Sequence, residues 1–129
     1  MTPDLSRKLL FDMLRIRAVE ETIATRYSEQ KMRCPTHMSV AQEGVAAAAG
    51  AVLRHDDLAV SGHRAHAHYL AKGGDLKAMI AEIYGKATGC SRGKGGSMHL
   101  VDESVGFMGS TAIVGGTVPV GGGLADPMK

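Results

Sequence analysis

Three histidines and an arginine fall within six positions of the stretch SGHRAHAHYLAKGG, residues 61–74: His63, Arg64, His66 and His68. Half of the six histidines in the chain are here, and three chemistries suit them. Imidazoles spaced i, i+3 and i, i+2 can ligate zinc, with Cys34 and His37 as more distant donors. Arg64 would then set a fixed cation beside the metal, and the cluster holds no carboxylate. A plain solvated loop is the bland alternative. The third chemistry is anion binding: a guanidinium offers a two-pronged fork to phosphate or carboxylate, and imidazoles donate hydrogen bonds and exchange protons near neutral pH. These residues follow the short apolar run Leu58, Ala59, Val60, and the loop after a strand is where open α/β sheets hold ligands. The residue types favour the anion.

Other candidates stand apart from this cluster. His37, in CPTHMSVAQE, is either a neighbour of the helix that follows or a substrate contact just ahead of it. His99 either anchors its own glycine-rich loop or faces a site. GCSRGKGGS has the look of a phosphate loop, but the pattern G-x-x-x-x-G-K-[ST] fails. Gly89 to Gly93 is one residue short, and Gly95 stands where the hydroxyl belongs.

The elements that must position these residues fall into two regimes. Residues 3–33 read as one long helix. Pro3 suits a first helical position, Asp4 the positive end of the dipole, and Pro35 the stop. Leu5, Leu9, Met13, Ile16, Ile23 and Tyr27 supply its apolar stripe; Arg15, Arg17, Glu20, Glu21 and Arg26 supply its wet face. A helix over 42–53, QEGVAAAAGAVL, is so rich in small residues that another backbone must pass close to it. A strand is expected over 58–60. The helix over 75–86 has Asp75 as N-cap, with Leu76, Met79, Ile80, Ile83 and Tyr84 along one face. The second regime is glycine-rich: twelve of seventeen glycines lie between Gly85 and Gly123. Apolar residues recur inside it, so residues 85–123 read as long ordered loops folded over a site rather than a linker.

Composition bounds the function. A chain of 129 residues with 44% hydrophobic content is one globular domain, with a real core. A dispersed net charge of +2, no Trp and few other aromatics argue against nucleic acid as a partner. No apolar run approaches a membrane span, and the N-terminus lacks a signal-peptide core. Two distant cysteines suit free thiols in a cytoplasmic protein.

Four motifs in fixed order carry a resemblance. His37, Gln42 and Glu43 give H-x(4)-QE; HRAHAHYLAKGG, GKGGSMHL and AIVGGTVPVG follow. The series resembles the alpha subunit of thiamine-diphosphate-dependent 2-oxo acid dehydrogenases, of the pyruvate and acetoin type, from about Arg15 to Gly122. The resemblance implies an α/β fold: N-terminal helices and the first part of a cofactor-binding parallel-sheet domain, spanning 1–129. It implies that His63 and Arg64 grip the cofactor diphosphate and that His66 lines the site entrance or assists phosphate binding. It places His37 against the 2-oxo acid. The backbone of Ala112 and Val114 would hold the aminopyrimidine ring, with the bulk of Val114 keeping the cofactor folded; Ser97 and His99 would lie beside the active-site channel. The implied reaction is oxidative decarboxylation of a 2-oxo acid with acyl transfer to a lipoyl group.

The implied partners are a beta subunit, in a heterotetramer of two alpha and two beta chains, and the lipoyl-bearing acyltransferase component. A magnesium ion is implied as well. Its family ligands, a G-D-G segment and a downstream Asn, are not in this sequence, so no metal ligand is assigned here. After PVG the family continues into an alanine-rich helix, whereas here GGGLADPMK follows and Asp126-Pro127 should break any helix. The expectation is therefore a truncated piece or split subunit. The alternative function is that of a catalytically inactive fragment that serves only assembly or interaction.

Overall fold

A computed structural model describes residues 1–126. Its elements run α1 (Pro3–Tyr27), α2 (Glu43–Val52), β1 (Ala59–Ser61), α3 (Ala65–Lys72), α4 (Leu76–Ile83), β2 (Phe107–Ser110) and α5 (Thr117–Ala125), with 3-10 turns at Gly96–Met98 and Glu103–Val105. The α/β expectation holds. The two strands pair in parallel, Ala59 with Phe107 and Ser61 with Ser110, with an irregularity after Ala59. Helix α3 lies at the centre. Ala65, Ala67, Tyr69 and Leu70 bury against Ile16 and Ile23 of α1, Met79 and Ile83 of α4, and Phe107 of β2. Among the described residues no helix is long and apolar enough to cross a membrane.

Several elements form as their residues dictate. Asp75 caps α4, accepting from the N–H groups of Lys77 at 2.6 Å and Ala78 at 3.1 Å. The small-residue helix α2 does pass close to another backbone: a Cβ on Gly50 would sit 2.4 Å from the carbonyl oxygen of Ala71 in α3. Only glycine permits that approach.

Four expectations are corrected. First, α1 stops at Tyr27, well before Pro35. The chain turns back through Gln30 at φ +56°, which lets Met32 reach the core and Arg33 N–H reach the carbonyl of Ile83. Second, Glu20 is not on the wet face of α1. It shares the buried stripe of Ile16 and Ile23 and is fully inaccessible. Third, residues 65–72 of the histidine stretch are a helix rather than a loop: its alanines favour helix, and Gly73 at φ +105° ends it. Fourth, the glycine-rich region contains β2 and α5. Pro119 falls in the first turn of α5, where its missing N–H is not needed. Three glycines cost roughly 1 kcal/mol each there, and the helix rests on β1, with the Cβ position of Gly121 3.6 Å from Val60. The expected break at Asp126-Pro127 concerns Pro127, which lies outside the described residues.

Two carboxylates clamp these elements. Glu43 at the start of α2 accepts a two-pronged bond from Arg17 of α1, at 2.6 and 3.1 Å, and a third bond from Ala41 N–H. The Arg17 guanidinium is the main reason why its pKa falls to about 2, against an opposing push from burial. Glu82 of α4 is fully buried, and the glycine-rich turn wraps around it. One carboxylate oxygen takes the N–H groups of Ser91 and Gly93, both at 2.8 Å; the other takes Gly95 at 2.6 Å and Gly96 at 3.1 Å. Burial pushes the Glu82 pKa up, but these four amides outweigh it and hold the carboxyl below its usual range. Gly93 at φ +77° and Gly96 at φ +60° make the turn possible. A Cβ would meet Gly85 backbone in the first case and Cys34 in the second, both at 2.7 Å.

Two predictions follow from the clamps. Glu82→Gln replaces one acceptor oxygen, which takes two N–H groups, with an NH2 group that faces those donors, and should destabilise the chain by about 3 kcal/mol; denaturant midpoints check this. Because the folded pKa of Glu43 lies below its unfolded value, its contribution is fully present above about pH 4.5 and is lost as pH falls toward 2. Thermal melts of Glu43→Gln should therefore show a smaller loss of Tm over that window than the unaltered chain.

Candidate functional site

The site is built where both parallel strands end. From β1 the chain passes through Gly62, His63 and Arg64 into α3; from β2 it passes through residues 111–116 into α5. Thr111 N–H donates to the carbonyl of Ser61 at 3.2 Å, so the two loops leave the sheet side by side. The carboxyl edge of a parallel pair is where such sheets leave an open crevice.

His37 and His63, far apart in sequence, meet there edge to face, with ring centroids 5.0 Å apart at 83°. Nδ1 of His37 is buried and has no hydrogen-bond partner among the described residues. A buried polar nitrogen without a partner is costly and points to a group that arrives from outside the chain. Arg64 is exposed at the start of α3. One guanidinium nitrogen donates to the carbonyl of Met38, and among the described residues no carboxylate pairs with the rest. Ala112 is exposed, and Val114 is 81% exposed on the neighbouring loop. The structure thus brings His37, His63 and Arg64 together, with the 112–114 loop springing from the adjacent strand end.

His66 departs from its expected place at an entrance. It is fully buried, with Nδ1 3.1 Å from Glu20 Oε2 and Nε2 2.8 Å from Ser97 Oγ. His68 pairs through Nδ1 with Ser61 Oγ at 2.8 Å, and burial lowers its pKa. It faces a cavity of about 190 Å³ between α2, α3 and β1, lined also by Leu53, Val60, Lys72 and Phe107. His99 anchors its own loop, with Nδ1 3.1 Å from the carbonyl of Gly95. The three clustered histidines thus have three different sets of partners, which ends the zinc reading for them. Among the described residues no three His, Cys, Asp or Glu side chains gather to hold a metal. The amide cradle of the glycine-rich turn, which suggests a phosphate loop, already encloses the Glu82 carboxylate.

Sequence reasoning missed Glu20, Ser39 and Glu82 as organisers of the site. Signals existed for two of them. Glu20 lies at i+4 from Ile16 and i−3 from Ile23, on the core stripe. Glu82 lies between Met79 and Ile83, both buried. A carboxylate on an apolar stripe asks which donors come to meet it.

Comparison with known proteins identifies the family. Residues 11–129 match the family model described as the dehydrogenase E1 component. The pyruvate dehydrogenase E1 component subunit alpha of Rickettsia prowazekii (strain Madrid E) is 42% identical over 114 residues, which cover 88% of this chain and 35% of that protein. The alpha subunit of acetoin:2,6-dichlorophenolindophenol oxidoreductase from Bacillus subtilis (strain 168) is 42% identical over 119 residues, 91% of this chain and 36% of that protein. The mitochondrial pyruvate dehydrogenase E1 component subunit alpha-1 of Oryza sativa subsp. japonica is 41% identical over 118 residues, 92% and 30%. The chain spans about a third of the length of these relatives. With a model match over nearly its whole length and relatives above 40% identity, the chain belongs to the dehydrogenase E1 component family.

Proposed function

We propose that this chain is the N-terminal part of an alpha subunit that binds thiamine diphosphate and decarboxylates a pyruvate-like 2-oxo acid, passing the acyl unit to a lipoyl group on an acyltransferase component. The observation that carries the proposal is the meeting of His37, His63 and Arg64 beside the 112–114 loop at the carboxyl edge of the strands. The residues suit the cofactor. Among the described residues Arg64 keeps guanidinium N–H groups free of carboxylates; its planar fork suits a diphosphate, and its Met38 contact holds it at the crevice. His63 stands beside it as a second donor. On the neighbouring loop, the exposed residues Ala112 and Val114 would offer their backbone to an aminopyrimidine edge, and Val114 would press on a bent ligand. His37 offers its unpartnered Nδ1 to the substrate carboxylate or carbonyl.

When bound, thiamine diphosphate supplies the carbon nucleophile and the electron sink for decarboxylation. The chain's own groups bind, orient and exclude water. His66 acts from beneath the crevice through its buried bonds rather than by touching a ligand. Among the described residues no three His, Cys, Asp or Glu side chains gather to hold magnesium. The partner in this reading is a beta subunit, in an arrangement of two alpha and two beta chains. A cytoplasmic setting is part of the reading too, and the free thiols Cys34 and Cys90 suit a reducing compartment.

One observation favours a second reading, in which the chain serves assembly only. Leu10, Phe11 and Leu14 stand out from α1, and Ile113 and Val118 from the last segment, each more than half exposed. Titration with thiamine diphosphate and magnesium, with and without a beta subunit, separates the two. Under the first reading the alpha–beta complex takes up cofactor; no uptake in either state leaves only assembly.

Within that complex, Arg64→Ala should raise the Kd for thiamine diphosphate about tenfold or more, since a charge-assisted phosphate bond contributes roughly 1.5–3 kcal/mol, with less effect on substrate. An unchanged cofactor Kd refutes the phosphate assignment. His37→Ala should raise the substrate KM or lower kcat while leaving cofactor binding close to the original; a defect confined to the cofactor counts against its role.

A further inference from the structure

Beneath the crevice lies a chain of buried hydrogen bonds that the binding roles above do not use. Glu20, His66 and Ser97 come from α1, α3 and the turn at Gly96–Met98, and all three are 0% exposed. Side by side they have the order of a serine–histidine–carboxylate array. No substrate reaches Ser97 at that depth, so nucleophilic chemistry is not its task.

The hydrogen bonds have one consistent direction. Glu20 Oε1 accepts the Ser39 N–H at 3.1 Å, and Glu20 Oε2 stands 3.1 Å from His66 Nδ1. Facing a carboxylate, Nδ1 must be the nitrogen that carries the hydrogen, which leaves Nε2 as an acceptor. Ser97 Oγ–H therefore points at Nε2, 2.8 Å away. With its hydrogen committed, the same oxygen accepts the His37 N–H at 3.4 Å. A doubly protonated His66 would break this order. Ser97 Oγ would then receive two N–H groups, and its own hydrogen would find no acceptor among these partners.

Both ends of the chain of bonds grip one short strap. Ser39 is held by Glu20, and its hydroxyl also donates to the carbonyl of Arg64 at 3.3 Å. His37 is held by Ser97. Between them lies Met38, whose carbonyl receives the Arg64 guanidinium. The residue with the unpartnered Nδ1 and the carbonyl that orients the exposed arginine are thus pinned from below at both sides.

We infer that Glu20, His66 and Ser97 are positioning residues: a buried, one-directional relay that sets the strap 37–39 and, through it, the placement of His37 and Arg64, with Glu20 choosing the His66 tautomer. The inference rests on the cofactor reading above for its consequence in binding, but not for its geometry.

The test uses the full chain with 15N-labelled histidine, alone and with a beta subunit. Glu20→Gln keeps size and shape. If its carbonyl stays on Ser39 N–H, its NH2 faces His66 Nδ1 and forces the opposite tautomer. The expected results are a hydrogen on Nδ1 of His66 in the unaltered chain and on Nε2 in the variant. Amide hydrogen exchange in the peptide containing residues 37–39 should rise at least about fivefold, as loss of roughly 1 kcal/mol in a hydrogen bond implies. The Kd for thiamine diphosphate in the complex should weaken severalfold. Ser97→Ala is the second variant: it should speed exchange at His37 while leaving the His66–Glu20 bond and its tautomer intact, and it decides the matter if Glu20→Gln does not fold. A reversed tautomer with unchanged exchange overturns the relay, as does unchanged exchange at His37 in Ser97→Ala. If the unaltered complex takes up no cofactor, the cofactor reading fails, while tautomer and exchange still decide the positioning role.

Discussion

A carboxylate taken out of water must find donors within the protein or it destabilises the fold by several kcal/mol. Much of this structure is arranged around that requirement. Glu82 sits inside the core and is met by four backbone amides from one glycine-rich turn. Up to the 3-10 turn at Gly96 that segment has no helix or strand, so its conformation follows from where the carboxylate is. Gly96, the last amide of the set, is joined directly to Ser97, and Ser97 reaches His66 and His37. Glu20 meets the same requirement from the other side of α3, with Ser39 and His66 as donors. The two buried anions therefore hold the glycine-rich turn and the strap 37–39, and each anion stands on a helix.

This arrangement explains why the glycines are so dense where no strand or helix needs them. The turn resembles an anion nest of the kind that cradles phosphates, but the anion is part of the chain. Side chains at Gly93 or Gly96 would collide with backbone or with Cys34. The loop is thus an ordered wall beside the crevice, and its basic residues Arg92 and Lys94 are left on the outside, exposed.

How much of this could be read from the sequence depended on whether each signal was local. Helix α4 was legible because its cap and its apolar face lie within ten residues, and α2 was legible because its small residues announce a close neighbour. Arg64 could be read as an anion-binding candidate from its type and its place after a strand. The ends of elements were not legible. Nothing near Tyr27 forbids further helix; the turn there forms because Met32 is worth more in the core than as another helical residue. The helical stripe His66, Tyr69, Leu70 was present, but the polarity of its histidines concealed it. Glu20 looked like a surface charge and Glu82 drew no reading at all, because their partners lie on other segments and one-dimensional spacing does not show which donors will come to meet them. For the candidate site, the residues and their order were visible, whereas the depth of His66 and the edge-to-face meeting of His37 with His63 were matters of three-dimensional packing.

The parallel pairing of β1 with β2 has a kinetic side. Parallel neighbours cannot be joined by a tight turn, and here α3, α4 and the whole glycine-rich turn lie between Ala59 and Phe107. Closing so long a stretch carries an entropic penalty that local helix contacts do not share, so this pairing belongs among the slow steps of folding. Both loops of the crevice leave from its end. The crevice thus comes into being only when this slow pairing closes, and helices α2, α3 and α4 can be native in a chain that has not yet formed it.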